Sequence, residues 1–194
     1  MQSRVLNALA ALMLLMPIAG QAANFGYSFV AFALVPKSET DVDDFDIDGD
    51  GFQLRGSIDV HDNFFAVVEI EDLGFDDDVD FNRWLIGGGG HWPINAKFDV
   101  VGRAGIVRYE VERGRFDDDD TGFFLGGGVR ALVAPQVEVE GGIELVDAEV
   151  AGFGDEIFLV GEGRYHFNSQ FSAGGFVKVG DDARELGVYG RFNW

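Results

Sequence analysis

One face of ten successive alternating segments carries no Lys, Arg, Asp or Glu in its central span. Strand side chains point alternately to opposite faces, so residues two apart share a face. Residues 51–60 set Phe52, Leu54, Gly56, Ile58 and Val60 against Gln53, Arg55, Ser57 and Asp59. Residues 64–73 set Phe64, Ala66, Val68 and Ile70 against Phe65, Val67, Glu69 and Glu71. The last nine, 186–194, set Leu186, Val188, Gly190, Phe192 and Trp194 against Gly187, Tyr189, Arg191 and Asn193. The other segments are 24–35, 81–90, 97–111, 121–133, 137–146, 156–167 and 171–180. In 24–35 the shared face is Phe25, Tyr27, Phe29, Ala31, Ala33 and Val35; in 97–111 it is Phe98, Val100, Gly102, Ala104 and Ile106. Helical periodicity over a comparable length is absent, so the expectation is an all-β chain.

A soluble β-sandwich would also alternate, but three features point to a barrel in a membrane. The connections after the second, fourth, sixth and eighth segments are short, and most of the others are longer. Transmembrane barrels combine short turns at one end with longer loops at the other. Acidic residues crowd the odd-numbered connections, 36–50, 74–80, 112–120, 147–155 and 181–184, whereas the short turns hold only Asp62. One end of the expected barrel is therefore strongly negative.

The third feature is the opposite face of the segments. It carries Arg55, Arg83, Arg103, Arg130, Arg164, Lys178 and Arg191 with Asp59, Glu69, Glu71, Asp99, Glu138, Glu140, Glu144 and Glu162. A basic residue facing lipid at mid-depth costs about 2 to 4 kcal/mol, so the uncharged face is assigned to lipid and the charged face to the lumen. A near-balanced set of charges reads as a salt-bridged interior, because an unpaired buried charge is costly. Phe25, Phe64, Trp92, Phe98, Phe167, Phe171 and Trp194, at the strand ends nearest the short turns, are expected to form the periplasmic aromatic girdle.

The N-terminus supplies the route. Arg4, an apolar run from Ala8 to Ile18 and the small-residue stretch 19–23 follow the order of a secretory signal peptide. Residues 1–23 are thus expected to be removed, leaving 24–194 as one domain. Lys and Arg number 14 against 34 Asp and Glu, a net charge of −20, which argues against nucleic acid as a partner. Cysteine is absent, so no disulfide or thiol chemistry is indicated.

The signal peptide, the strand–turn–strand unit G-F-Q-L-R-G-S-I-D-V-H-D-N-F-F-A-V-V-E-I and the terminal Phe192-Asn193-Trp194 together resemble the small outer-membrane β-barrel family of OmpA/opacity-type and porin-like proteins. The resemblance implies an up-and-down antiparallel transmembrane barrel in the bacterial outer membrane, reached through the periplasm. The residues give ten strands, with eight, common in that family, as the alternative. It further implies that Phe192 and Trp194 act as a C-terminal signal read by the assembly machinery. The family includes adhesins, anchors, small pores and a few lipid-modifying enzymes.

Candidate sites are few. Asp46, Asp48 and Asp50 form a D-x-D-x-D-G run with Gly51, which matches half of a calcium loop, but Ser57 stands where an EF-hand needs its twelfth-position Glu. A looser Ca²⁺ or Mg²⁺ site shared with Asp76 to Asp78 and Asp117 to Asp120 is the functional reading; solvated carboxylates are the plainer one. His61, His91 and His166 sit in or beside short turns with no chelating spacing, and Ser57 and Ser172 show no histidine of matching depth. Glycine runs such as 87–90 and 126–128 are not followed by Lys-Ser or Lys-Thr and are assigned to barrel curvature.

The expected function is non-enzymatic, a structural or surface-interaction role carried by acidic outer loops that meet cations, cation-bridged lipopolysaccharide or a surface partner. No resident cofactor is expected. The alternative is a narrow porin-like channel, with Arg103, Arg130, Glu140 and Glu144 as selectivity residues. A second alternative, an outer-membrane enzyme, lacks a nucleophile and base at one rim.

Overall fold

The computed structural model describes residues 25–42, 45–75, 79–113, 116–148, 156–181 and 183–194. Ten strands run in chain order: β1 (Phe29–Val42), β2 (Phe45–His61), β3 (Phe64–Phe75), β4 (Val79–Asn95), β5 (Phe98–Arg113), β6 (Phe116–Ala134), β7 (Val137–Asp147), β8 (Glu156–His166), β9 (Phe171–Val179) and β10 (Ala183–Asn193). Each pairs antiparallel with its neighbours, and β1 pairs with β10, closing the barrel. Closure removes every free edge, so the backbone N–H and C=O groups find partners within the wall. The strand number is ten, not eight.

Outward side chains divide by height. Val30, Phe32 and Leu34 on β1, Phe52, Leu54, Ile58 and Val60 on β2, Trp84 and Ile86 on β4, Ile106 on β5 and Phe123, Leu125 and Val129 on β6 are all exposed. Immediately above this belt the outward positions become Lys37, Asp50, Asp72, Asp80, Arg108 and Arg184. A belt of exposed apolar side chains bounded by charge is the surface that lipid requires. At the short-turn end Phe64, Trp92, Phe98, Phe171 and Trp194 stand outward and exposed.

The strands outrun the apolar pattern. Of the acidic stretch 36–50, expected as a loop, residues 36–42 and 45–50 continue the β1–β2 ladder, with Glu39 opposite Asp48 and Ser38 opposite Gly49. The stretch 112–120 likewise belongs to the β5–β6 ladder, with Glu112 opposite Asp117 and Glu110 opposite Asp119. Ladder bonds join backbone to backbone and do not need apolar side chains, so the strands persist where the sequence alternation stops. Pro36, which has no N–H to donate, marks a register shift against both β2 and β10. The first strand also begins at Phe29 rather than at residue 24.

A second correction concerns the first strand's faces. Tyr27, Ala31, Ala33 and Val35 are buried in the lumen, and it is Val30, Phe32 and Leu34 that face outward. Phe25 packs with Tyr27, Phe65 and Val101 inside the barrel and takes no part in the girdle. Phe167 is half-buried and packs against Tyr165 with ring centroids 5.3 Å apart.

Space for interior aromatics comes from glycine directly across the ladder. Phe176 pairs with Gly187 and Phe65 with Gly89. A Cβ on Gly187 would lie 2.2 Å from the Phe176 ring, and one on Gly89 2.3 Å from the Phe65 ring. Tyr189 opposite Gly174 and Phe124 opposite Gly105 repeat the arrangement. Each ring lies flat on bare backbone, so a narrow barrel can hold aromatics among its charges. Gly187→Val forces the ring aside and is expected to lower stability by about 1–3 kcal/mol, read as a lower urea midpoint of the refolded protein.

Candidate functional site

The lumen is where the sequence-selected charges converge. Arg55, Glu69, Arg83, Arg103, Arg130, Glu140, Glu144 and Arg164 all point inward, because each occupies the strand parity opposite the lipid-facing residues. Toward the short-turn end, Glu138 is the hub. Its carboxylate lies 2.8 Å from Arg164, 3.2 Å from Arg130 and 3.1 Å from His166 Nε2, and the residue is 1% exposed. Arg130 also holds Glu140 at 2.9 Å, and Arg164 reaches Glu162 at 3.2 Å. Glu162 in turn pairs with Arg55 at 2.9 Å and accepts the Tyr189 hydroxyl. One continuous chain of ion pairs therefore crosses the lumen.

A second tier lies nearer the acidic end. Arg83 bridges Glu69 and Glu71, the latter at 3.0 Å, while the Gln53 amide donates to both carboxylates at 3.2 and 3.0 Å. Lys178 binds Glu144 at 3.0 Å, with Arg103 4.0 Å from the same carboxylate. Aromatic faces cover the cations: Tyr27 lies 4.5 Å from the Arg130 guanidinium, Tyr189 4.8 Å from Arg55 and Phe158 4.8 Å from Lys178. Arg191 meets no carboxylate among the described residues; it binds Asn193 Oδ1 at 2.7 Å and the Gly26 carbonyl, 3.6 Å from the Phe29 ring.

Two cavities of about 80 Å³ flank the Arg83 tier. The inner one is bounded by Arg55, Arg103, Arg130, Glu140, Glu144 and Glu162. The other opens at the acidic end among Phe75, Phe81, Tyr109, Phe158, Glu71 and Glu185. Arg83 and its partners stand between them.

The histidines divide differently from expectation. His61 is exposed, but His91 stacks on Tyr27 at 4.0 Å and lies 3.5 Å from Asp99, which accepts the Tyr27 hydroxyl at 2.9 Å. His166 belongs to the Glu138 hub. Both face the lumen: His91 because β4 runs on past the apolar pattern to Asn95, and His166 because it shares the inward parity of Glu162 and Arg164 on β8. Ser172 does have a histidine at its own depth, His166, directly opposite in the ladder. That histidine's Nε2 is held by Glu138, and the Ser172 hydroxyl has no hydrogen-bond partner among the described residues.

Asp48 and Asp50 are exposed on β2, two residues apart. The Asp46 side chain, like residues 1–24 and Asp76 to Asp78, lies outside the described part of the structure. Among the described residues no three acidic or histidine side chains gather as a metal site. At the other end Phe192 is half-buried, 5.2 Å from Phe171 and 6.3 Å from Trp194. The sequence reading missed Glu185: carrying period two one position back from Leu186 would have put it on the inner face.

No family model matches the chain, and no curated protein does. Solved structures do. An outer-membrane channel from Pseudomonas putida F1 matches with TM-score 0.58 at 9% identity, covering 92% of this chain and 99% of that one. The β domain of the Bordetella autotransporter BrkA matches with TM-score 0.58 at 8% identity, covering 88% and 100%. The translocator domain of the autotransporter NalP from Neisseria meningitidis gives 0.50 at 11% identity, covering 100% and 95%. The likeness is one of fold, and the fold is that of the outer-membrane β-barrels.

Replacing Glu138 by Leu strands parts of two guanidiniums and an imidazole in a closed lumen. The expected loss is about 3–5 kcal/mol of unfolding free energy, measured by urea titration in lipid vesicles. Lys37→Ala, which removes an exposed pair with Glu39, leaves the same titration unchanged.

Proposed function

We propose that this chain is a plugged outer-membrane barrel that works at its acidic end, which faces outward, and carries no catalytic machinery. The observation that carries this reading is the ion-paired lumen. Side chains, not solvent, occupy the space between the two cavities, with Glu71 at 1% and Arg83 at 4% exposure. Barrels of about eight strands are normally filled by their own side chains, and two more strands add little width.

On β1–β2 and β5–β6 the acidic residues stand on paired strand extensions. Rigid ribbons present carboxylates in fixed rows, as Asp48 and Asp50 stand on β2. Divalent cations relieve the repulsion along such rows and bridge them to the phosphates of lipopolysaccharide. The non-catalytic reading is supported by Ser172, which neither described cavity touches. The leader 1–23 and the C-terminal pair Phe192 and Trp194 belong to the same reading, as export and assembly signals.

The test is thermal melting of the protein refolded into lipopolysaccharide-containing vesicles, in calcium and in chelator. Melting is expected to rise with calcium, and Asp48→Asn combined with Asp50→Asn to shrink the rise. Identical melting in both conditions would remove cation bridging from the account.

A further inference from the structure

The cavity at the acidic end has chemistry of its own. Its walls are aromatic: Phe75 meets Phe81 edge-on at 6.2 Å and 90°, and Phe81 is tilted at 5.3 Å from Tyr109. Phe158 lines the same cavity of about 80 Å³. Leu73 with Phe75 and Phe81 belongs to one apolar cluster, and Tyr109 and Phe158 pack on another built from Val107, Phe124 and Val146. The cavity is thus the gap between two apolar clusters, left unfilled beneath the open end.

Its charged lining is Glu71, Glu156 and Glu185 with Arg83 and Arg184, three carboxylates to two guanidiniums. Glu71 and Arg83 pair with each other, and Arg83 is shared further with Glu69. Glu185, half-buried on β10, sets its carboxylate against that of Glu71, and its buried Oε1 has no N–H donor among the described residues. A buried carboxylate oxygen left without a donor is costly, and here it borders a cavity faced by four π-systems. Of the two guanidiniums in its described lining, Arg83 is held by Glu69 and Glu71, and Arg184 is exposed on the outer wall.

We infer that this cavity binds a small alkylammonium group, of the quaternary type found in choline. Such a cation has no N–H to demand a hydrogen-bond acceptor, is attracted to aromatic faces when desolvated, and finds its counter-charge in Glu185. A primary ammonium would need three acceptors, and a neutral apolar guest would leave Glu185 uncompensated. The volume suits a headgroup rather than an acyl chain. The negative potential of the surrounding strand extensions concentrates cations at the entrance. This rests on the proposed function only in taking the acidic end as the one that meets ligands.

The experiment is titration of the refolded protein, in octyl glucoside micelles, with choline and with its neutral isostere 3,3-dimethylbutan-1-ol, followed by NMR shifts of Phe and Tyr ring protons. Saturable choline shifts are expected, with the isostere at least tenfold weaker. Glu185→Gln is expected to weaken choline at least tenfold while leaving the heat-modified gel shift of the folded barrel intact. Phe81→Leu, which keeps the charge and removes a ring, is expected to weaken it too. Equal binding of isostere and choline, or unchanged binding in Glu185→Gln, would overturn the proposal, as would no saturable shift in folded wild type. Choline displaced by dodecylphosphocholine at equal headgroup concentration marks a lipid headgroup as the source; choline undisturbed marks a free solute. Because binding is read in micelles, it stands or fails independently of calcium bridging and of orientation in the membrane.

Discussion

A charged side chain placed in a lumen that water does not fill must meet its opposite, and the rest of this barrel is arranged around that requirement. Glu138 serves three bases, Glu162 serves two and a tyrosine, and Arg83 serves two carboxylates. Most of these pairs join neighbouring strands, while Arg55 of β2 meets Glu162 of β8 from four strands away, so the pairs tie the wall together along its ladders and across the lumen. A shift of one strand by a single residue would turn its charges to lipid and its Leu or Ile inward. Lipid outside and ion pairs inside therefore fix the same register.

The closing of the lumen and the opening at one end follow from where aromatics replace charges. Phe65, Phe124, Phe176 and Tyr189 each lie against a glycine on the neighbouring strand, which lets large rings share a narrow interior with arginines. Between Phe75, Phe81, Tyr109 and Phe158, beyond the Arg83 tier, a cavity remains. The interior is thereby divided by height: an ion-paired middle, an aromatic mouth, and acidic ribbons beyond it.

The membrane-spanning part was legible because burial on two different solvents leaves a period-two record. Arg55, Arg103, Arg130 and Glu144 could be placed inside from parity alone. The first strand misleads because both its faces are apolar: Ala31 and Ala33 fill the lumen while Phe32 and Leu34 meet lipid, and composition does not tell the two apart. The extensions were read as loops because Asp48 and Asp117 break the apolar pattern without breaking the backbone ladder. Pairs such as Arg130 with Glu140 and Glu138 with Arg164 face each other across hairpins, but a pair across the lumen such as Arg55 with Glu162 could not be read, since it depends on how the closed barrel brings non-consecutive strands together. The aromatic mouth was invisible for the same reason, whereas Glu185 was within reach of the parity argument.

Single-channel conductance of the refolded mature chain in a planar bilayer tests the sealed lumen most directly. The ion-paired plug predicts silence from protein shown to be folded, across voltages and at moderate salt. Reproducible discrete steps from the unmodified protein would mean that water and ions pass the Arg83 tier, and the lumen would then have to be described as a path instead of a core.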